Sequence, residues 1–167
     1  MKKIILLIFI SVFVFNCNKT QRYTQNSAEI DAVKTLIKAY NNKDYATAIT
    51  HYSDTSKTRF NKAFMNSKDV AKYHQQNDVN YSKRAFLDEG QIYEMVVDDE
   101  GKTWVNFWGN WKATLKGNNK DVVIFVHLTS RFVNGKIVEE YGYWDPSEVI
   151  ANLQEIAAAK TEQTTED

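Results

Sequence analysis

Residues 86–144 hold Phe86, Tyr93, Trp104, Phe107, Trp108, Trp111, Phe125, Phe132, Tyr141, Tyr143 and Trp144, with β-branched residues between them and turn signals at Asp99-Glu100-Gly101, Gly117-Asn118-Asn119 and Asn134-Gly135. Aromatic and β-branched side chains at this density, bounded by Gly and Asn turns, predict a run of antiparallel strands. Asn134-Gly135 suits a two-residue type I′ turn, which sets Val133 opposite Lys136 and makes paired residue numbers sum to 269. With Asn118-Asn119 as the other turn, pairs sum to 237. Side chains alternate between faces, so both registers put Val105, Phe107, Trp111, Ala113, Leu115, Val122, Ile124, Val126, Leu128, Phe132, Ile137, Tyr141 and Tyr143 on one face, the expected core. Trp104, Asn106, Trp108, Asn110, Phe125, His127, Thr129, Arg131, Val138, Glu140 and Trp144 fall on the other. That second face is half aromatic and half polar, the texture of an interface or a wet binding surface.

Helical spacing governs the chain before the strands. Ile30, Val33, Ile37 and Tyr40 predict a first helix, stopped by Asn41-Asn42-Lys43-Asp44. Tyr45, Ala48, Ile49 and Tyr52 predict a second, ending in the turn Ser53-Asp54-Thr55-Ser56, and Val70, Tyr73 and Asn77 a third. After the strands, Asp145-Pro146-Ser147-Glu148 reads as a helix start, with Asp145 as cap, and Val149, Ile150, Leu153 and Ile156 form that helix's apolar face. No internal repeat is visible.

The N-terminus reads as an address. Met1-Lys2-Lys3 is basic, and Ile4 to Phe15 is apolar except for Ser11, ending at Asn16-Cys17. Such a run spans roughly 18 Å as a helix, short of a roughly 30 Å hydrocarbon layer. A cysteine directly after it resembles the bacterial lipoprotein signal, in which that cysteine is lipidated and becomes the mature N-terminus. The expected organisation is a signal over 1–17 with lipidation at Cys17, a tether over 18–27, one domain over 28–156 and a polar tail over 157–167. The resemblance implies a cell-envelope protein held to a membrane by a lipid. Of 167 residues, 21 are basic and 21 acidic, so removing Lys2 and Lys3 leaves a slightly acidic domain and no signal for nucleic acid. Cys17 is the only cysteine, which excludes an intramolecular disulfide and any multi-cysteine metal site.

Two or three helices followed by a meander of aromatic strands resembles the nuclear transport factor 2-like superfamily, which includes the SnoaL-like polyketide cyclases and ketosteroid isomerases. Arg131 to Glu140, followed by Tyr143-Trp144-Asp145, looks like the closing hairpin of SnoaL-like domains, and Asn42-Lys43-Asp44-Tyr45 through His51-Tyr52-Ser53-Asp54 is similar to their helix, loop, helix and acidic turn. The resemblance implies an α+β, cone-shaped fold with N-terminal helices packed on a curved antiparallel sheet. Laid over the same turn, the ketosteroid isomerase pattern puts Phe60 or Asn61 where its catalytic aspartate belongs and Leu36 at its oxyanion tyrosine. Phe60 or Asn61 supplies no carboxylate to abstract a proton, and Leu36 no donor to steady an enolate.

Candidate site residues follow from these placements. Asp54 and His127 are the candidate general acid–base groups, with Asn110 beside His127 and Glu140 and Trp144 diagonal to it. Tyr52, Trp111, Tyr141 and Tyr143 are expected to line the mouth of the cone and bind an apolar or aromatic molecule. Trp104, Trp108, His127 and Trp144 are expected to form a homodimer interface, with a glycan-stacking surface as the alternative for Trp104 and Trp108. His51, His74 and His127 follow no metal-ligand spacing, so neither a metal nor a cofactor is expected. Nucleophile and phosphate-loop motifs are absent. The expected function is a noncatalytic ligand-binding or protein-interaction module, with an isomerase, cyclase or hydrolase acting on a small hydrophobic substrate as the alternative.

Overall fold

A computed structural model describes residues 21–165. In chain order the elements are β1 (Tyr23–Thr24), α1 (Ala28–Asn41), α2 (Tyr45–Ile49), β2 (Tyr52–Phe60), β3 (Ala63–Met65), α3 (Ser67–Asp78), β4 (Tyr81–Phe86), β5 (Ile92–Val97), β6 (Thr103–Leu115), β7 (Asp121–Val133), β8 (Lys136–Tyr143) and α4 (Ser147–Thr165). The expected signal, Cys17 and the first part of the tether lie outside the described residues. Tyr23–Thr24, in the rest of that tether, forms an edge strand on β5, and α4 continues to Thr165 through residues expected as a tail.

The helices begin where local chemistry allows. Ser27 Oγ accepts the Ile30 N–H at 3.2 Å, Glu29 and Asp31 occupy the first turn of α1, and Asp44 accepts from Thr47 N at 3.0 Å to start α2. Ile30, Val33, Leu36 and Ile37 give α1 its buried stripe. Asn41 then ties the helix to the sheet: its amide donates to Phe86 O at 3.0 Å and accepts from Phe86 N at 2.9 Å.

One curved sheet holds the strands in the order β1-β5-β6-β7-β8-β2-β3, and β4 also pairs with β6. Every pairing is antiparallel except β2 with β8. The second helix is shorter than its spacing predicts. It stops at Ile49, and Ser53-Asp54-Thr55-Ser56 is strand rather than turn. Ser56 and Thr58 occupy core-facing positions of β2, so its alternation is of small polar groups and escapes a hydrophobic pattern. In β4, the buried Arg84 masks the strand in the same way.

Register decides the faces. The β6–β7 pairs sum to 235, because the connection is the four residues 116–119. The shift from 237 is even, so both faces of β6 and β7 hold the predicted residues. The β7–β8 hairpin starts as predicted, with Asn134 at φ 51°, Gly135 at φ 72° and Val133 opposite Lys136. After Phe132↔Ile137 the pairing slips to Arg131↔Glu139, leaving Val138 as a β-bulge, and the sum becomes 270. That odd shift turns Glu140 and Gly142 inward and Tyr141 and Tyr143 outward, reversing the predicted assignment of β8 from residue 140 onward. Gly142 is needed there: a Cβ would stand 2.7 Å from Phe60 and 2.8 Å from Trp144.

Candidate functional site

Between the inner face of the sheet and the helices lies a cavity of about 380 Å³. All four helices border it, as do β2, β4, β6, β7 and β8. Its wall is apolar and aromatic, with Phe60, Trp111 and Trp144 from the strand side and Tyr40, Tyr45 and Tyr73 from the helices. The first turns of α4 close one side through Val149, Ile150 and Leu153. At the loop 116–119, Ile156 packs so tightly on Gly117 that a Cβ there would come within 2.3 Å of its side chain.

Glu140 is the one wall group whose charge is not already balanced by a neighbouring ion among the described residues. The bulge at Val138 directs it inward, and it is 1% exposed. The Tyr52 hydroxyl donates to Glu140 Oε2 at 2.7 Å, and Ser130 Oγ donates to Oε1 at 3.4 Å. Thr58 is the strand partner of Glu140 on β2, and its buried Oγ1 has no partner among the described residues. Burial pushes the Glu140 carboxyl up from 4.5 to about 7, against the lowering pull of the bonds from Tyr52 and Ser130. Burial beside this carboxylate likewise drives the Tyr52 phenol well above its usual range.

A second polar cluster stands at the helix side. Arg84, its side chain wholly buried, donates from Nε to Asp78 Oδ1 at 2.8 Å and from Nη2 to Asp78 Oδ2 at 3.3 Å. Tyr45 donates to Asp78 Oδ2 at 2.5 Å, and Arg84 Nη1 donates to Tyr40 O. The guanidinium lies 3.8 Å from the centre of the Tyr40 ring. Burial raises Asp78, but the bonds from Arg84 and Tyr45 outweigh it and hold the carboxyl below its usual range. His74 packs among Tyr40, Tyr45, Phe60 and Tyr73, and burial, assisted by Arg84, lowers it to about 4, so it is neutral at pH 7.

The predicted site residues separate into two places. Tyr52 and Trp111 line the cavity, and Trp111 Nε1 donates to Tyr40 OH at 2.9 Å. Tyr141 and Tyr143 do not; the bulge puts them on the outer face, where Tyr143 is half exposed. Trp144 is the reverse correction. The chain turns inward beyond Tyr143, held by Asn61, whose amide donates to Trp144 O at 3.0 Å, and the indole packs on Phe60 and borders the cavity. Asp54 is exposed on β2 and takes no part in the cavity. His127 stands on the outer face, stacked on Trp108 at 4.7 Å and 4°, with Nε2 buried and unpartnered among the described residues. It is therefore apart from Glu140, which faces the other side of the sheet.

Sequence reasoning missed His74, Tyr45 and Asp78 as site residues and placed Glu140 on the outer face beside His127. One signal for Glu140 was present: adjacent Glu139 and Glu140 in a strand with one core face must put one carboxyl inside, whatever the register. Among the described residues no group of three His, Cys, Asp or Glu is placed to hold a metal, and no helix is long and apolar enough to cross a membrane.

No protein-family model and no curated protein sequence matches the chain. Solved structures do. A candidate polyketide cyclase from Xanthomonas campestris pv. campestris aligns with TM-score 0.64 at 14% identity, over 77% of this chain and 98% of that one. A nuclear transport factor 2-like protein of unknown function from Burkholderia pseudomallei gives 0.62 at 14%, over 75% and 97%. A protein with a ketosteroid isomerase-like fold from Catenulispora acidiphila, solved with trimethylamine, gives 0.60 at 12%, over 72% and 90%. At these identities the likeness is one of architecture, and with the helices and the curved mixed sheet it shows that this chain has the α+β cone-shaped fold of the nuclear transport factor 2-like and ketosteroid isomerase-like proteins.

Proposed function

We propose that the protein is an exported module, lipid-anchored through Cys17 in the bacterial cell envelope, whose cavity binds a small, largely apolar molecule. The observation that carries this reading is the aromatic-walled space of about 380 Å³ with a single uncompensated carboxyl, Glu140, at its border. Ligand pockets combine an apolar wall with a few fixed polar groups in this way. Thermal unfolding of the protein against a library of small apolar compounds tests it. A ligand at about 100 times its Kd stabilises by about 2.7 kcal/mol, so a true binder raises Tm by several degrees. A library containing aromatic amines, alcohols, ketones and acids that moves Tm for none of its members ends the proposal.

Proton-transfer catalysis is the second reading, favoured by one observation. A buried carboxyl held near 7 and bonded at 2.7 Å to a phenol is placed to take a proton from a bound substrate and return it. Glu140 and Tyr52 would then act where the sequence suggested Asp54 or His127. Self-association is assigned to the outer face, where Ile92, Trp108, His127 and Tyr143 form one row across four strands.

A further inference from the structure

We propose that the cavity selects small organic cations, protonated or quaternary amines with apolar substituents, using Glu140 as their counter-charge. This deepens the ligand-binding function proposed above and rests on it.

Charge around the cavity disfavours an anion and favours a cation. Arg84 is the one buried guanidinium near this space, and it is fully taken up by Asp78, Tyr45 and the Tyr40 carbonyl. An anionic ligand would therefore enter a space without an available cation among the described residues, beside a carboxyl of the same sign. A cation meets the opposite situation. Glu140 has hydroxyl partners, Tyr52 and Ser130, and no cationic one among the described residues, so an ammonium group supplies the ion pair the fold leaves unmade.

The wall suits the rest of such a ligand. Tyrosine, phenylalanine and tryptophan rings present negative faces that attract cations, most strongly where water is excluded. This protein already uses that attraction beside the cavity, where the Arg84 guanidinium sits 3.8 Å over Tyr40 with its side chain wholly buried. The other titratable groups bordering the space are Tyr40, Tyr45, Tyr73 and Tyr81, with Tyr52, His74 and Asp78. Near neutrality the phenols and the imidazole are uncharged, and Asp78 is neutralised by Arg84. Residues of α4 that border the cavity are Val149, Ile150 and Leu153, which add no charge. Ionisation of Glu140 is thus the event that sets the sign of the cavity.

Three probes of similar shape test this on the purified protein: benzyltrimethylammonium, its neutral carbon isostere neopentylbenzene, and the anion 4-tert-butylbenzoate. Binding is read from the fluorescence of the wall tryptophans Trp111 and Trp144. At about pH 8 the cation binds roughly tenfold or more tightly than the isostere, and the anion weakest of the three. The preference falls toward unity at about pH 5.5, as Glu140 takes up its proton, and disappears in Glu140→Gln. Tyr52→Phe removes a bond that favours the carboxylate, so the pH at which the preference appears moves upward. This variant keeps the test decisive if Glu140→Gln folds poorly. Equal or tighter binding of the isostere at about pH 8 overturns the cation proposal and leaves the ligand-binding cavity standing. Binding by none of the probes overturns both.

Discussion

The inner and outer faces of β6, β7 and β8 are made by the same strands and are both rich in aromatic residues, yet they have different structures. Inside, rings on the strands meet at steep or intermediate angles: Phe86 and Phe107 at 85°, Tyr81 and Trp111 at 80°, Tyr93 and Phe107 at 41°. Outside, Trp108 and His127 lie flat on each other at 4°, and His127 and Tyr143 stack at 28°. The inner face adds rings from a helix, with Tyr73 and His74 packed on Phe60, to those paired across strands, whereas Trp108, His127 and Tyr143 outside stand side by side at the register positions of neighbouring strands. Each face also holds one titratable group that burial moves toward its neutral form, Glu140 upward inside and His127 downward outside. Aromatic content therefore does not distinguish a ligand cavity from a contact surface. What lies opposite the face does: four helices inside, and no helix outside among the described residues.

The sharpest way to break the comparison is to remove a ring from each face. Phe107 is fully buried on the inner face, and Phe107→Ala should cost about 3–5 kcal/mol in urea unfolding. A loss below about 1 kcal/mol would mean the inner face is not the core.

Acid–base linkage comes next in size. The native state binds the Glu140 proton more tightly than the unfolded chain does, because burial lifts its value from 4.5 to about 7. The stability this contributes is complete below about pH 4.5 and is lost as pH rises through about 7. His74 acts oppositely in an overlapping window: lowered from 6.5 to about 4, it contributes stability above 6.5 that is lost as pH falls through about 4. Wild-type stability is thus a difference of two slopes, and paired curves separate them. Relative to Glu140→Gln, the wild type should gain about 3 kcal/mol between pH 8 and 4.5. Parallel curves would place Glu140 in water rather than in the cavity wall.

The smallest expected effect lies outside. Phe125 is 59% exposed, so Phe125→Asp should change the folding stability of dilute protein by no more than about 0.5 kcal/mol. The same substitution should convert a dimer to monomer in sedimentation, since it places a charge within the proposed contact. A sedimentation profile identical to that of the wild type would remove the outer face from self-association.

Much of the fold was legible because its determinants are local. The helical spacing of Ile30, Val33 and Ile37, the turn at Asn134-Gly135, and the alternation of Val105, Phe107 and Trp111 along β6 each act within a few residues. Less of the site was legible. Ser56 and Thr58 are polar residues at core positions, so β2 did not look like a strand, and the parallel pairing that sets Thr58 beside Glu140 joins residues far apart in sequence. Arg84 and Asp78 read as ordinary surface charges until the packing of α3 on the sheet buries them together.

By itself the sequence determined strands β5 to β8, the turn at Asn134-Gly135 and the two-faced pattern of β6 and β7, because backbone preference and side-chain alternation are short-range. Tertiary structure alone decided which face β8 shows. The bulge at Val138 is a single-residue slip that leaves the hairpin turn unchanged, yet it moves Glu140 into the cavity and Tyr141 and Tyr143 out of it. Alternation has a period of two, so every side chain beyond such a slip changes sides, and no local preference in the hairpin records the change.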